Sequence, residues 1–183
     1  MFFIHLITWK INIKAEAKIF NSVDKYEFLR EEKVKVIEYF SNENKEHWKE
    51  QIALADWGAA KFLLKLLNDT QKFDELLGRD GKLFLLVDEE MIVSFVTLTH
   101  QDCICDKSMF PWLGFLYTYP DFRGKRHSEF LLKYVEEEAK LENHSIIYLG
   151  TDYVDLYEKY GYTYLETRKD YLNEETRIYY KRL

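Results

Sequence analysis

The sequence predicts an α+β fold in which helices flank one central sheet of mixed, mostly antiparallel strands. The first half of the chain repeats apolar residues at helical spacing, whereas the second half alternates short apolar runs with turns. A strand–helix–strand order in the second half indicates one parallel pair, because parallel neighbours need a crossover connection. This arrangement of helices and strands along the chain is typical of α+β proteins.

Composition indicates one globular domain over residues 1–183. The chain is 47% hydrophobic and 32% charged, and no repeat or Pro/Gly-rich linker divides it. Its net charge of −6 is spread along the sequence. That distribution disfavours nucleic-acid binding, which normally uses a broad basic face, and is compatible with a cationic substrate.

About the first 80 residues are predicted to hold a strand and helices. The apolar start "MFFIHLITW" lacks a basic region and a cleavage site, and it is far shorter than the roughly 20 residues that cross a bilayer. We therefore expect an opening strand and no membrane association. Residues 26–42 and 45–67 show apolar side chains at spacings of three and four, which predicts helices. Asp56 and Trp57 lie inside the second pattern, where helix surface and packing are their expected roles.

Residues 81–183 are predicted to form the core of the sheet. Two extended runs in residues 82–100 flank an acidic turn and indicate an antiparallel hairpin. A strand at residues 112–119 leads into a helix from about residue 128 to 141, and "SIIYLG" is most simply a strand parallel to the first. A short helix over residues 154–161 ends at Gly161, and a last hairpin turns around residues 171–175.

The stretch "DFRGKRHS" at residues 121–128 joins the end of a strand to the start of a helix. The first amide N–H groups of a helix lack carbonyl partners and attract anions. Arg123, Lys125 and Arg126 add full positive charges, and Gly124 permits a close backbone approach. These residues predict a bound phosphate or pyrophosphate, although a solvated basic turn accounts for the same pattern. No Walker loop or dinucleotide-binding glycine motif is present.

Two motifs in order resemble those of the GNAT superfamily of N-acetyltransferases. "YPDFRGKRHSEFLL" is similar to its acetyl-CoA signature, Arg/Gln-x-x-Gly-x-Gly/Ala after a Pro-x-aromatic, and "LYEKYGY" resembles its Tyr-Glu-Lys-x-Gly-Phe element. A helix and a strand of suitable length separate them, and the resemblance covers about residues 80–183. It implies the acyl-CoA N-acyltransferase fold, with residues 81–183 as the cofactor-binding core and acetyl-CoA as co-substrate.

The resemblance implies a set of acetyl-CoA-binding residues along the strand, the turn and the start of the helix. Backbone groups of the strand would contact the pantetheine arm, and the turn would bind the pyrophosphate. These residues are Leu116, Thr118, Arg123, Gly124, Lys125, Arg126, His127 and Ser128. Arg126 and Ser128 depart from the signature, which has Gly and Gly/Ala at those places. An arginine there could crowd the pyrophosphate or bind it with a charged fork.

By the same resemblance, Tyr157 is the general acid that protonates the departing CoA thiolate. Tyrosine suits this role because its pKa of about 10 keeps it protonated at neutral pH. The alternative is that Tyr157 only packs its ring and hydrogen-bonds a carbonyl. The attacking amine must also lose a proton, and the candidate bases are His100, Asp102 and, less favoured, Asp106. Backbone N–H groups of the strand at residues 112–119 are expected to hold the oxyanion.

Cys103 and Cys105 are the only cysteines in the sequence. Residues this close make a poor structural disulfide, so we expect a reducing, cytoplasmic compartment. The stretch "HQDCICD" also offers His100, Asp102 and both cysteines as metal ligands. Structural zinc usually takes spaced pairs such as CxxC, and the sequence has no second pair, so no metal is expected.

The sequence therefore predicts a cytoplasmic N-acetyltransferase that moves an acetyl group from acetyl-CoA to a primary amine of an unidentified small molecule or peptide. A non-catalytic CoA-binding sensor or structural module is the alternative, motivated by Arg126 and Ser128. A third possibility, an unrelated phosphate-binding or partner-binding domain, requires both motif matches to be accidental. Sheet edges near the C-terminus permit a monomer or a homodimer.

Overall fold

Seven strands form one sheet in the order β1-β2-β3-β4-β5-β7-β6 in a computed structural model, which describes residues 34–104 and 106–183. The strands are β1 Val34–Glu38, β2 Lys82–Asp88, β3 Met91–Thr99, β4 Trp112–Thr118, β5 Ile146–Thr151, β6 Thr163–Lys169 and β7 Glu175–Arg182. Every neighbouring pair is antiparallel except β4 and β5. The predicted α+β class with a mixed, mostly antiparallel sheet is confirmed.

Helices cover both faces of this sheet. They are α1 Lys45–Ala53, α2 Gly58–Leu67, α3 Thr70–Leu77 and α4 His127–Leu141, with single 3₁₀ turns at Pro120–Phe122 and Tyr157–Tyr160. The apolar side of α4, including Leu131 and Val135, packs on one face, whereas α1 to α3 bury Ile52 and Leu63 against the other. No helix within the described ranges is long and apolar enough to cross a membrane.

The elements that surround the cationic turn match their predictions. The hairpin of β2 and β3, the strand β4, the helix α4 and the parallel strand β5 all lie where the patterns indicated. The last hairpin is β6 and β7, and β7 inserts between β5 and β6. Gly161 ends the short helical turn with a φ of 85°, a left-handed conformation that favours glycine. That turn is a 3₁₀ helix of four residues rather than the longer helix expected.

The predicted helix over residues 26–42 is wrong where the structure describes it, because residues 34–38 form strand β1. Val34, Val36 and Ile37 are β-branched, and the strand pairs with β2, placing Val36 opposite Leu86. The apolar residues here fit both the spacing of a helix and the alternation of a strand. Pairing with β2 favours the strand. Residues 26–33, like the predicted strand at residues 1–9, lie outside the described residues.

The pattern over residues 45–67 is two helices rather than one. The chain leaves the helix after α1, and Trp57 has an extended backbone with φ −152° and ψ 127° immediately before α2. Asp56 and Trp57 therefore lie in a connection and not on a helix surface. Helix α3 was not predicted. Its N-cap is Asp69, whose side chain accepts a hydrogen bond of 3.2 Å from the backbone N–H of Lys72.

Candidate active site

Strands β4 and β5 diverge beside the cationic turn. Within the described residues their register pairs Trp112 with Tyr148 alone. Strand β4 also carries a β-bulge, because Phe115 and Leu116 together lie opposite Val96 of β3. Phe115 has a φ of 48°, which is unusual for a residue with a side chain. A bulge leaves backbone groups out of the ladder, so this stretch of β4 offers unpaired peptide groups to a ligand.

The N-terminus of α4 has no side-chain cap among the described residues. Its first helical hydrogen bond runs from the N–H of Phe130 to the carbonyl of Arg126, at 3.0 Å. The N–H groups of the first helical turn before Phe130 therefore lack helical acceptors. Gly124, with a φ of 81°, has open space where a side chain would start. Uncapped N–H groups beside an open glycine suit an anion.

Arg126 adopts the conformation that glycine would favour at its place in the signature. Its φ is 62° and its ψ is 20°, in the left-handed region. Its guanidinium is directed at Glu129, with Nε 2.7 Å from Oε2 and Nη2 2.8 Å from Oε1. This bidentate pair holds the pKa of Glu129 down at about 2. The side chain is therefore engaged with the first turn of α4.

A pocket of about 480 Å³ opens between the end of β4, the cationic turn and the α1–α2 connection. Its lining residues are Asp56, Trp57, Leu116, Tyr117, Thr118, Phe122, Arg123, Gly124, Arg126, His127, Ser128 and Tyr153. They include every residue predicted to bind acetyl-CoA except Lys125, which is exposed in the same turn. Arg123 donates from Nε to the carbonyl of Thr118 at 3.0 Å, and its guanidinium lies 5.7 Å from the ring centroid of Tyr117.

Tyr157 lies in the second 3₁₀ turn and packs against other tyrosines. Its ring centroid is 6.0 Å from that of Tyr162 and 6.4 Å from that of Tyr179. Burial, followed by the neighbouring Tyr153 and Tyr160, raises the pKa of Tyr157 to about 12. The phenol is therefore a proton donor over the whole physiological pH range. Tyr157 is not among the residues lining the pocket, whereas Tyr153, four positions earlier, is.

The two favoured candidate bases, Asp102 and His100, lie in different environments. The carboxyl group of Asp102 is buried against Gly114 of β4, and its Oδ1 accepts a 2.6 Å hydrogen bond from the N–H of Cys103. Burial raises the pKa of Asp102 to about 6. His100 is exposed and stacks on Phe110, with ring centroids 4.6 Å apart. None of the candidate bases lines the pocket.

Asp106, the less favoured candidate, is held by Arg168. The guanidinium Nη1 is 2.7 Å from Oδ2 of the carboxylate. Hydrogen bonds from Ser108 and then from Arg168 lower the pKa of Asp106 to about 2. This carboxylate is therefore a weak base.

Asp102 is the only candidate that contacts β4 next to its bulge. Its Oδ2 is buried and has no hydrogen-bond partner in the part of the chain that the structure describes, and the same holds for Thr97 Oγ1 nearby. A buried carboxylate oxygen without a partner is costly and is a common feature of functional sites.

The predicted metal-ligand stretch is only partly described. Cys103 is a free thiol that packs against Gly150, and burial raises the pKa of its thiol. Cys105 lies outside the described residues. No group of three or more His, Cys, Asp or Glu side chains suited to a metal ion occurs in residues 34–104 and 106–183.

Sequence reasoning did not place Asp56, Trp57 or Tyr153 in the pocket. Trp57 stacks on Tyr117 with ring centroids 5.5 Å apart and an interplanar angle of 9°. The helical pattern concealed the break at Asp56, and Gly58 was the one local indication of it. Tyr153 lies in the connection after β5, and only the folded chain brings it opposite the cationic turn.

Comparisons with known proteins agree with this architecture. A family model described as acetyltransferase (GNAT) family matches residues 34–162. No curated protein sequence matches the chain significantly. An acetyltransferase from Streptococcus agalactiae 2603 has a similar structure, with a TM-score of 0.58 and 21% identity over 82% of this chain and 98% of that one.

Two further solved structures carry a cofactor. A GNAT family acetyltransferase from Elizabethkingia anophelis with acetyl-CoA bound has a TM-score of 0.57 and 16% identity, over 82% of this chain and 98% of that chain. An aminoglycoside 6'-N-acetyltransferase complexed with coenzyme A has a TM-score of 0.58 and 16% identity, over 81% of this chain and 96% of that chain. At these identities the likeness shows a common fold.

Proposed function

This chain belongs to the GNAT acetyltransferase family, and from that premise we propose that it transfers the acetyl group of acetyl-CoA to a primary amine of a small molecule or peptide. The observation that carries the proposal is the pocket at the uncapped N-terminus of α4, whose lining contains nearly all the residues predicted to bind acetyl-CoA. We assign the reaction to one domain and to a reducing cytoplasm, which suits the free thiol of Cys103.

In this proposal the turn and β4 bind different parts of acetyl-CoA. The amide groups of His127 and Ser128 would bind the pyrophosphate, with Gly124 leaving room for it and Arg123 adding charge. Leu116 would offer backbone groups to the pantetheine arm where β4 leaves β5. The bulge at Phe115 is the expected place for N–H groups that stabilise the oxyanion.

The proposed reaction is direct attack by the free amine on the thioester. A nitrogen–carbon bond forms, the carbon–sulfur bond breaks, the amine gives up one proton, and the CoA thiolate takes up one proton. Tyr157 is the proposed donor of the second proton, and its raised pKa keeps it protonated until then. Asp102 is the preferred acceptor of the first proton. Its pKa of about 6 leaves it mostly ionised at neutral pH and more basic than an ordinary aspartate.

Release of free thiol from acetyl-CoA in the presence of a panel of primary amines tests this proposal. We expect amine-dependent release by the wild-type protein and a fall of about 10²-fold or more in kcat for Tyr157→Phe, because general acid catalysis contributes on that scale. Tyr153→Phe is the matched control, since it removes a hydroxyl from the neighbouring tyrosine that lines the pocket. If Tyr153→Phe abolishes the reaction and Tyr157→Phe does not, the general acid is Tyr153 and not Tyr157.

A non-catalytic CoA-binding module remains the competing function. Arg126 and Ser128, which depart from the signature, are the reasons to consider it. At position 126 the backbone adopts the left-handed conformation that glycine favours, and the guanidinium pairs with Glu129, which supports the enzyme over the binding module. Tight binding of acetyl-CoA without thiol release to any amine would favour the binding module over the enzyme.

A further inference from the structure

The pocket has a second wall that the acetyl-CoA-binding residues do not explain. Asp56 and Trp57 come from the α1–α2 connection and line the pocket together with the cationic turn. Arg123 makes the turn side positive and favours phosphate. A carboxylate in the same pocket repels phosphate, so Asp56 marks a place for a different, positively charged group.

Asp56 makes no hydrogen bond or ion pair with another described residue, although two arginines share its pocket. Arg123 is engaged with the carbonyl of Thr118, and Arg126 is engaged with Glu129. Within residues 34–104 and 106–183, nothing therefore competes with a ligand for this carboxylate. It is solvent-exposed, and a ligand that fills the pocket would partly shield it from water and strengthen a charge pair.

Two aromatic side chains outside the pocket lining, Phe62 and Phe115, extend from Trp57 toward the β4 bulge. Trp57 lies edge-on to Phe115, with ring centroids 6.5 Å apart, and Phe115 stacks on Phe62 at 6.4 Å. Phe62, on α2, is a large apolar residue that is 46% exposed. Trp57, Phe62 and Phe115 form an aromatic shelf that begins at the bulge, where the thioester is proposed to lie.

The α1–α2 connection is held in place before any ligand binds. Tyr119, at the end of β4, donates from its hydroxyl to the carbonyl of Gln51 at 2.7 Å. Ala55 is buried, and Trp57 stacks on the buried ring of Tyr117. The backbone that carries Asp56 is therefore ordered beside Trp57, so ligand binding costs little backbone conformational entropy.

We propose that Asp56 and the aromatic shelf select the acceptor: a cationic amine whose ammonium group pairs with Asp56 and whose apolar body packs on Trp57, Phe62 and Phe115. This inference rests on the acetyl transfer proposed above and names the substrate class of that site. Asp56 is a specificity-determining residue that binds the acceptor as the ammonium ion. The proton is lost afterwards, to Asp102 in the proposed reaction.

Calorimetric titration of the CoA-saturated protein with phenethylamine and with 2-phenylethanol tests the inference. The two probes share a ring and an ethyl chain, and one is charged whereas the other is neutral. We expect phenethylamine to bind at least about tenfold more tightly, the scale of one hydrogen bond to a charged group. Asp56→Asn should abolish this preference. Asp121→Asn is the matched control, because it removes an exposed carboxylate beside the cationic turn that does not line the pocket, and it should retain the preference.

Equal affinity for the two probes, no binding of either, or a preference retained in Asp56→Asn would overturn the inference. Asp56→Glu separates charge recognition from a structural role, because it keeps the carboxylate and should restore most of the preference. Failure of the proposed acetyl transfer would look different. In that case phenethylamine binds, and depends on Asp56, while no amine causes thiol release from acetyl-CoA.

Discussion

Replacing Arg126 tests whether the left-handed turn before α4 is strained. Arg126→Gly and Arg126→Ala both remove the ion pair with Glu129, and they differ in how well they tolerate a φ of 62°. A left-handed backbone costs a non-glycine residue about 1–2 kcal/mol, and the greater freedom of glycine in the unfolded chain offsets about 0.5–1 kcal/mol of this. The glycine variant should therefore be more stable than the alanine variant by about 1 kcal/mol.

Thermal unfolding measures this difference. For a chain of this length we expect Arg126→Gly to melt about 2–4 °C above Arg126→Ala. Lys133 provides a matched control, because it also pairs with Glu129, at 2.9 Å, and lies in the interior of α4. At Lys133 the order should reverse, with alanine more stable than glycine, since a right-handed helix favours alanine. Equal melting temperatures at position 126, or a higher one for alanine, would refute the strain.

The same pair of variants tests whether Arg126 grips the cofactor. Because its guanidinium is engaged with Glu129 on an exposed surface, we expect either substitution to change acetyl-CoA affinity by no more than about fivefold. A much larger loss in both variants would show that Arg126 leaves Glu129 and binds the pyrophosphate directly. A gain in both would show that the side chain obstructs the site.

The remaining predictions concern buried charge. Asp102 has a pKa of about 6 in the folded chain and of about 3.8 in the unfolded chain, so the folded chain binds more protons between these pH values. The free energy of unfolding of the wild type should therefore fall by up to about 3 kcal/mol relative to that of Asp102→Asn as the pH rises from 4 to 6. Denaturant titrations at several pH values measure this, and parallel stability curves would contradict it. Lys181 donates to Glu136 at 2.7 Å and to the carbonyl of Tyr160 at 2.9 Å, and Glu136 is only 6% exposed. Lys181→Met should therefore cost about 1–3 kcal/mol in the free energy of unfolding, whereas Lys140→Met, which removes an exposed pair, should melt like the wild type.

The strands and helices that follow from a local sequence pattern could be predicted from the sequence alone. The hairpin around residues 88–90 and the β4–α4–β5 unit follow from apolar periodicity and turn residues, and the cationic turn follows from its charges. Strand β1 was missed because five residues can satisfy helical and strand spacing at once. Its pairing with β2, about fifty residues later in the chain, decides the outcome, and no local pattern contains that information.

The sequence alone indicated the part of the pocket proposed for the cofactor, and it gave little indication of the part proposed for the acceptor. The turn and its flanking strand are continuous in sequence, so their residues are neighbours in the pocket as well. Asp56 and Tyr153 come from separate connections, and their place depends on how α1, α2 and β5 pack. The burial of Asp102 against Gly114 likewise arises from the path of the loop after β3, which the polar sequence there does not indicate.

Calorimetric titration with acetyl-CoA measures whether the pocket binds the proposed cofactor. We expect one binding site per chain with a dissociation constant between about 1 μM and 1 mM, the range usual for enzyme substrates. Arg123→Ala should weaken that binding, whereas Asp56→Asn should not weaken it, because Asp56 is assigned to the acceptor and its charge repels phosphate. The absence of any binding at about 1 mM acetyl-CoA would contradict both the proposed transferase and the competing CoA-binding module.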